Sequence, residues 1–427
     1  MSVGTFILLI LVITLVMGVP IAISIGFTSL GYFLFTGQTG QLLMLAQKTF
    51  SGMNSFELMA IPMFVLAGDL MFEGKISDAL VNFAKSLVGW IRGSMSIVTT
   101  LACMLFGAVS GSGPATASAI GSVVAPSLKE DGYPSDFSAC CIAAAGPLGS
   151  LIPPSITAVV YGVTVGVSVG DLLLAGVYPG IVFGLALMIY QVWVCAHNKY
   201  GKIYKFNLKA VGRSFIGAIP ALLCPIIILG GIYSGKFTPT EAGAIACLYA
   251  LLVGMFYYKR IKWKDLPRLL AKSAVMAASI LLIIGCISCF SYVLTREKIN
   301  EAIAVWMISH MSEAWQFILA CNLIYLLAGM IENGSSAIIL LAPILHPIAL
   351  QYGIDPVFFG AMTVANLAIG MCTPPMAATL YIAARICDVN ITQMCKRILP
   401  FLAVLLIALA IVCLTPDAVT FLPYLFK

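Results

Sequence analysis

Apolar stretches near or beyond 20 residues recur along the whole 427-residue chain. A helix needs about 20 such residues to cross roughly 30 Å of hydrocarbon. Only 9% of the residues are charged and 61% are hydrophobic, whereas soluble domains carry about 25% charged residues. A soluble enzyme, a nucleic-acid binder and a disordered regulator are excluded on that ground. Barrel strands would show strict alternation over about 10 residues, and no segment does. The pattern fits an all-α polytopic membrane protein. The net charge of +6 sits in a few loops, so it speaks to orientation rather than to acidic partners.

Ten spans are expected, near 3–18, 20–36, 54–72, 135–167, 172–195, 214–235, 240–258, 273–294, 356–385 and 398–422. Residues 3–35 as one helix would measure about 50 Å, too long for an ordinary crossing, and Gly18 and Pro20 offer a break. Segments 93–128 and 314–350 do not fit as single crossings. The first is interrupted at Ser110-Gly111-Ser112-Gly113-Pro114, the second at Glu332-Asn333-Gly334-Ser335-Ser336. Each reads as a re-entrant helical hairpin, whose irregular tip is tolerated at depth only against protein or a cavity. With the basic loop 197–213 in the cytoplasm, 18 of the 23 Lys and Arg fall on that side. Lys48, Lys236, Arg296, Lys298 and Lys427 remain outside, a strong positive-inside bias. Both termini then face outward. No Lys or Arg precedes Lys48, so the first apolar segment lacks a signal-peptide n-region and is expected to stay.

The chain also resembles itself. A shift of 221 aligns Gly113 with Gly334, Pro126 with Pro347, Gly132 with Gly353, Phe137 with Phe358, Gly149 with Gly370, and Pro153-Pro154 with Pro374-Pro375. A shift of 223 lays Lys75 to Ala79 on Lys298 to Ala302. Each half holds five spans and a hairpin. Because five is odd, the halves form two inverted-topology repeats, an architecture of secondary transporters.

Both halves carry a span broken by Gly and Pro, at Ala144 to Ser155 and at Asn366 to Pro375. Pro cannot continue the helical ladder, so Pro153, Pro154, Pro374 and Pro375 should free carbonyls upstream. Those carbonyls suit a cation, and the N–H groups of the following half-helix suit a carboxylate. The competing reading is two proline kinks satisfied by water, Ser and Thr. Glu332 on the second tip either helps a cation site or pairs with the facing hairpin. Asp69 is expected at a solvated span end, with a proton relay as the alternative. Thr238-Pro239-Thr240-Glu241 reads as a capping box. Glu57 is expected to begin a helix and His346 to pack in the core. Stretches 76–91 and 299–312 read as interfacial arms, and Lys259 to Lys272 as a cytoplasmic, lipid-facing helix. Most of the 13 cysteines lie in apolar runs, so Cys286 and Cys289 are expected as small buried hydrophobes and no structural disulfide is expected. Three scattered histidines argue against an intramembrane enzyme. The lack of a GxxxxGK[ST] loop argues against ATP-driven pumping, and no ring of charge suggests a channel.

Together, SGSGPATASAIG (110–121), GPLGSLIPPS (146–155), TPTEAGA (238–244) and GMCTPP (370–375) resemble the large membrane (M) subunit of tripartite ATP-independent periplasmic (TRAP) transporters. The resemblance covers essentially the whole chain. It implies Na+-driven secondary import of an organic acid, of the sialic acid or C4-dicarboxylate class, across the bacterial inner membrane, which makes the outward side that holds both termini the periplasm. It also implies a separate small four-helix membrane subunit and a periplasmic substrate-binding protein. The implied fold is an elevator-type transporter, in which two hairpins and two broken helices slide against a scaffold. The chain would divide into scaffold helices 1–75, arm, hairpin and broken helix 76–170, scaffold and basic arm 171–295, a second arm, hairpin and broken helix 296–388, and a last scaffold helix 389–427. Carried over by residue, one sodium lies among Ser110, Gly111, Ser112, Gly113, Gly146, Gly149 and Ser150. A second lies among Glu332, Asn333, Gly334, Asn366, Gly370, Cys372 and Thr373. The substrate carboxylate is expected near Ser112, Ser155, Ser335, Ser336 and Thr373. Pro114 stands where a second polar tip residue is expected, and no arginine is placed to clamp the substrate. A stand-alone carboxylate carrier without a binding protein is the alternative.

Overall fold

A computed structural model describes residues 3–74, 76–375 and 377–425, apart from the side chain of Val16. Lys75 and Lys427, both counted in the charge distribution, lie outside the described residues. All regular structure among those described is helical. The first half runs α1 (Val3–Val16), α2 (Ile21–Phe35), α3 (Leu42–Met53), α4 (Ala60–Glu73), α5 (Ile76–Val88), α6 (Ser94–Ser110), α7 (Gly113–Glu130), α8 (Ser135–Ala145), α9 (Ile156–Val165), α10 (Val169–Ala175) and α11 (Val177–Asn198). The second runs α12 (Leu208–Tyr233), α13 (Pro239–Leu252), α14 (Leu266–Arg296), α15 (Ile299–His310), α16 (Ala314–Ile331), α17 (Gly334–Gln351), α18 (Pro356–Gly370), α19 (Ala378–Cys387), α20 (Ile391–Arg397), α21 (Leu399–Leu414) and α22 (Pro416–Leu425). The internal repeat is visible in these bounds. Helices α7 and α17 are each 18 residues long. They begin at Gly113 and Gly334, and α8 and α18 begin at Ser135 and Pro356, all at the shift read from the sequence.

The halves cross the membrane less uniformly than ten equal spans would. Residues 3–35 form two helices hinged at Gly18, whose φ of 76° suits glycine. The helices double back, stacking Phe6 on Phe35 at 4.1 Å. With 14 and 15 residues, each measures only about 21–23 Å. Six helical stretches are long and apolar enough to cross: Val169–Asn198, Leu208–Tyr233, Pro239–Tyr257, Trp263–Arg296, Ala314–Ile331 and Gly334–Gln351. Two bent pairs bring the number to eight. The two N-terminal helices and the segments of the two broken spans fall short individually. The second hairpin's arms meet the length requirement yet turn back at its tip.

One of those bent pairs corrects the span expected at 54–72. Residues Thr39–Met53 are helical too, and meet Glu57–Glu73 at 64°. Gln47, Lys48, Ser51 and Gly52 dilute the apolar signal there. The helix forms because its small face fits α14: a Cβ on Gly285 would lie 2.8 Å from Met53 Cγ and 2.9 Å from the Thr49 carbonyl. Helix α14 is continuous over 31 residues, about 46 Å, so α3 and α4 run along it in turn. The basic run Lys259 to Lys272 is also corrected. It is not a separate helix but a non-helical connection over 259–262, a short turn over Trp263–Asp265 and the first turns of α14.

Local signals place other ends. The Thr238 backbone N–H donates to Glu241 Oε2 at 2.8 Å and the Glu241 N–H to Thr238 Oγ1 at 3.3 Å, the capping box that starts α13. Asp355 Oδ1 accepts from the N–H groups of Val357 and Phe358 at the start of α18. The arm α5 buries Ile76, Leu80, Val81 and Ala84, whereas α15 leaves Val305 and Trp306 exposed. All 13 cysteines are free. The hairpins and broken helices cross over between halves, with α7 packed on α19 and α17 on α9. Helix α4 lies between α13 and α14, and α3 packs on α14.

Candidate functional site

The first tip is a tight reversal set on the first break. Gly111 takes φ 64° and Ser112 is extended before α7. Ser110 Oγ and Thr116 Oγ1 lie 2.8 Å apart and tie the two arms. The Gly111 carbonyl accepts from Ile156 N–H at 3.2 Å. A Cβ on Gly107 would lie 2.6 Å from Gly149 Cα, so backbone meets backbone there.

The prolines free specific carbonyls, and hydroxyls answer several of them. Pro147 has no N–H for the Ala143 carbonyl, Pro154 none for Ser150, and Pro375 none for Met371. Ser155 Oγ donates to the Ser150 carbonyl and accepts from Ala158 N–H at 3.1 Å, capping α9. Thr379 Oγ1 lies 2.9 Å from the Met371 carbonyl and 3.0 Å from the Ala143 carbonyl. Thr379 thereby bridges the two broken helices. None of these carbonyls, expected bare, stands without a donor: Ser150 accepts from Ser155, Met371 also accepts from the Thr379 N–H at 3.2 Å, and Ala143 and Met371 share the single Thr379 hydroxyl proton. Both breaks contain a cis Pro-Pro bond. Removing the Ser155 hydroxyl with Ser155→Ala should cost about 1–2 kcal/mol through the lost cap and the orphaned carbonyl. A thermal-unfolding midpoint equal to wild type in detergent would refute that role.

At the second break Thr373 Oγ1 donates to the Ile369 carbonyl at 2.8 Å, and Cys372 Sγ lies 3.2 Å from the same oxygen. Gly370 is held against the backbone of Gly329 on α16, where a Cβ would lie 2.7 Å from its Cα. On the second tip Asn333 Oδ1 accepts from Ser335 N–H at 3.4 Å and caps α17. Glu332 takes part in none of the ion pairs among the described residues, so the pairing with the facing hairpin is not formed. Asn366 is buried, and its Nδ2 bonds Asn322 Oδ1 at 2.7 Å on the hairpin arm rather than at the tip. Its Oδ1 has no partner.

The two tips open onto one cavity of about 600 Å³. Ser110, Gly111, Ser112, Gly113, Ser150, Asn333, Ser335 and Ser336 line it. Of the remaining expected residues, Gly146, Gly149, Ser155, Gly334, Gly370 and Cys372 are buried behind the wall, while Glu332, Asn366 and Thr373 also lie off it. The opposite wall comes from α4 and α14: Val65, Gly68, Phe72, Met276, Ile280 and Ile283. Two charged residues line it as well, Asp69 and Lys272. The solvated position expected for Asp69 is overturned. Its side chain is 14% exposed, with Lys272 Nζ at 2.6 Å and Ser273 Oγ at 2.7 Å. Asp69 and Lys272 face each other from antiparallel helices more than 200 residues apart, which span-by-span reading misses. Thr157 and Thr379 were also missed, although a shift of 222 aligns them just beyond the two breaks.

Elsewhere, His346 Nδ1 lies 2.9 Å from Tyr161 OH and the ring is buried in the core as expected. It borders a second cavity of about 500 Å³ with Glu57 and Ser288. Glu57 begins a short helical turn. Among the described residues no three His, Cys, Asp or Glu side chains converge on a metal. Apart from the Glu332 carboxylate on the second tip, the oxygens around the tips and breaks are hydroxyls, amides and backbone carbonyls. That neutral set, with the unpartnered Asn366 Oδ1, fits a monovalent hard cation, as at unwound transporter helices.

Residues 8–418 match the family described as Tripartite ATP-independent periplasmic transporter, DctM component. The chain belongs to that family. It is similar to the C4-dicarboxylate TRAP transporter large permease protein DctM of Rhodobacter capsulatus, with 38% identity covering 97% of each chain. The sialic acid TRAP transporter large permease protein SiaM of Vibrio cholerae is 36% identical, covering 96% of each. The isethionate TRAP transporter permease protein DctMQ of Oleidesulfovibrio alaskensis is 39% identical over 94% of this chain and 63% of its own length. The solved YdaH transporter of Alcanivorax borkumensis superposes with a TM-score of 0.62 over 88% of this chain and 89% of its own. At 14% identity it supports the fold alone. This DctM-family chain is therefore a multi-pass membrane permease, with its tips and breaks at the centre of the fold.

Proposed function

We propose that this chain is the large subunit of a sodium-driven importer of an organic acid in the bacterial inner membrane. One observation carries the reading: two pseudo-symmetric tips, backed by two broken helices, open onto a single cavity of about 600 Å³ whose tip side is lined by neutral oxygens and whose opposite wall holds the Asp69–Lys272 ion pair. Carboxylate oxygens suit the hydroxyls and N–H groups of Ser112, Ser335 and Ser336, and Na+ suits the freed carbonyls beside them. The relatives' C4-dicarboxylate, sialic acid and isethionate are all organic anions. A small membrane subunit and a periplasmic binding protein complete the system, and both termini of this chain face the periplasm. The hairpins and broken helices, locked together through Thr379 and the tip contacts, move as an elevator against α3, α4, α13 and α14.

The test is uptake of labelled succinate, sialic acid and isethionate into proteoliposomes holding this chain and its small subunit. Accumulation of one acid should require both an inward sodium gradient and its binding protein. Accumulation without the binding protein would point to a stand-alone carrier, and accumulation indifferent to sodium would overturn the coupling. Ser112→Ala and Asn333→Ala should each raise the sodium concentration for half-maximal uptake. An unchanged sodium response removes those side chains from the cation sites.

A further inference from the structure

The cavity wall that faces the tips is apolar along Val275, Met276, Ile280 and Ile283. An organic anion released from the tips meets one cation there, Lys272. Its ammonium is not free. It rests on Asp69 Oδ1 at 2.6 Å, while Ser273 Oγ donates to Asp69 Oδ2 at 2.7 Å. One turn further out, Arg268 pairs with Glu73. The Lys272 side chain is 56% exposed and Asp69 only 14%, so the lysine is the mobile partner and the carboxylate the fixed one. Its ammonium carries three donors on a flexible four-carbon stem. Asp69 keeps the Ser273 hydroxyl if the lysine leaves.

We propose that Lys272 is a transient counter-ion for the substrate on the side of the membrane that carries the basic loops, and that Asp69 competes with the substrate for it. This rests on the organic-acid reading above. With the cavity empty, Lys272 sits on Asp69. With an acid in the cavity, the ammonium turns to the carboxylate or sulfonate. As the acid leaves, Asp69 takes the lysine back, so the cation does not hold the product. A bare lysine would bind the anion and slow its release. A cavity without one would offer the anion no counter-charge beyond the coupling ions. The ion pair thus sets the affinity on the release side, at a position that the tips alone do not determine.

Counterflow in proteoliposomes tests the assignment, using whichever of succinate, sialic acid or isethionate the wild-type protein accumulates. Binding protein added outside selects molecules with the periplasmic face outward, and the internal acid concentration is varied. Lys272→Gln should raise the internal half-saturation about five- to tenfold, the scale of one partly screened charge-assisted hydrogen bond, and leave external half-saturation within twofold. Lys272→Arg should restore it. Asp69→Asn, which keeps a partner for Ser273, should shift it the other way and slow maximal release. An internal half-saturation unchanged in Lys272→Gln, with wild-type uptake intact, overturns the role of the lysine and leaves organic-acid transport standing. Equal shifts on both faces overturn the sidedness. A wild-type protein that accumulates no organic acid removes both readings.

Discussion

Gly149→Val should abolish sodium-driven uptake while the chain still inserts. A Cβ at Gly149 would overlap Thr116 Oγ1, and would lie 2.8 Å from Thr116 Cβ and 3.0 Å from the Ser112 carbonyl. Thr116 cannot simply turn away, because its hydroxyl is joined to Ser110 Oγ across the tip. Behind Gly149 stands the Gly107 backbone, so the break cannot retreat either. Valine therefore lifts the first tip off the first break and disperses the oxygens gathered there. Overpacking of this kind costs about 1–3 kcal/mol, which should lower the unfolding midpoint. Uptake should fall by more than a hundredfold, since displacements of about 1 Å at a positioned site carry effects of that order. Gly149→Ala should be intermediate, and Thr116→Ala should restore part of its activity by removing the overlapping oxygen. Gly217→Ala on α12 is the control, because nothing lies within 4 Å of its added carbon. Wild-type uptake in Gly149→Val would show that the tip and break need not touch.

Much of this arrangement is legible in the chain because glycine and proline act locally. Gly111, Gly113, Pro153 and Pro374 mark their reversals and breaks whatever surrounds them, and the shift of 221 pairs Gly113 with Gly334 and Pro153 with Pro374. The capping box at Thr238 is equally local. What the sequence conceals depends on partners far along the chain. Helix α3 reads as a polar interruption because Lys48 and Gly52 weaken its apolar signal, and only α14 explains its face. Asp69 reads as a solvated end until Lys272 arrives from a helix 203 residues later. The expectation that freed carbonyls would stand bare fails for the same reason. A proline announces the missing donor, but not the hydroxyl that replaces it.

Thr379 is the clearest such replacement, and Thr379→Val should impair transport more than loss of the Ser112 or Ser155 hydroxyl. Pro147 leaves the Ala143 carbonyl without its helical donor, and Pro375 does the same to Met371. The Thr379 hydroxyl lies within reach of both oxygens, at 3.0 and 2.9 Å, and shares its one proton between them. Met371 also receives the Thr379 backbone N–H at 3.2 Å and so keeps one partner in the variant. Ala143, which belongs to the other half of the chain, loses the hydroxyl that ties it to α19. Valine fills nearly the same volume, so the effect comes from hydrogen bonding and not from a cavity. A buried acceptor left without its donor costs about 1–3 kcal/mol. The loss falls on the link that holds the two broken helices in register. Thr379→Val should therefore lower the unfolding midpoint and reduce maximal uptake at least tenfold, with its sodium dependence weakened. Thr379→Ser, which keeps the hydroxyl, should recover most of both. If serine and valine behave alike, the threonine acts through its methyl group and the two halves are joined by packing alone.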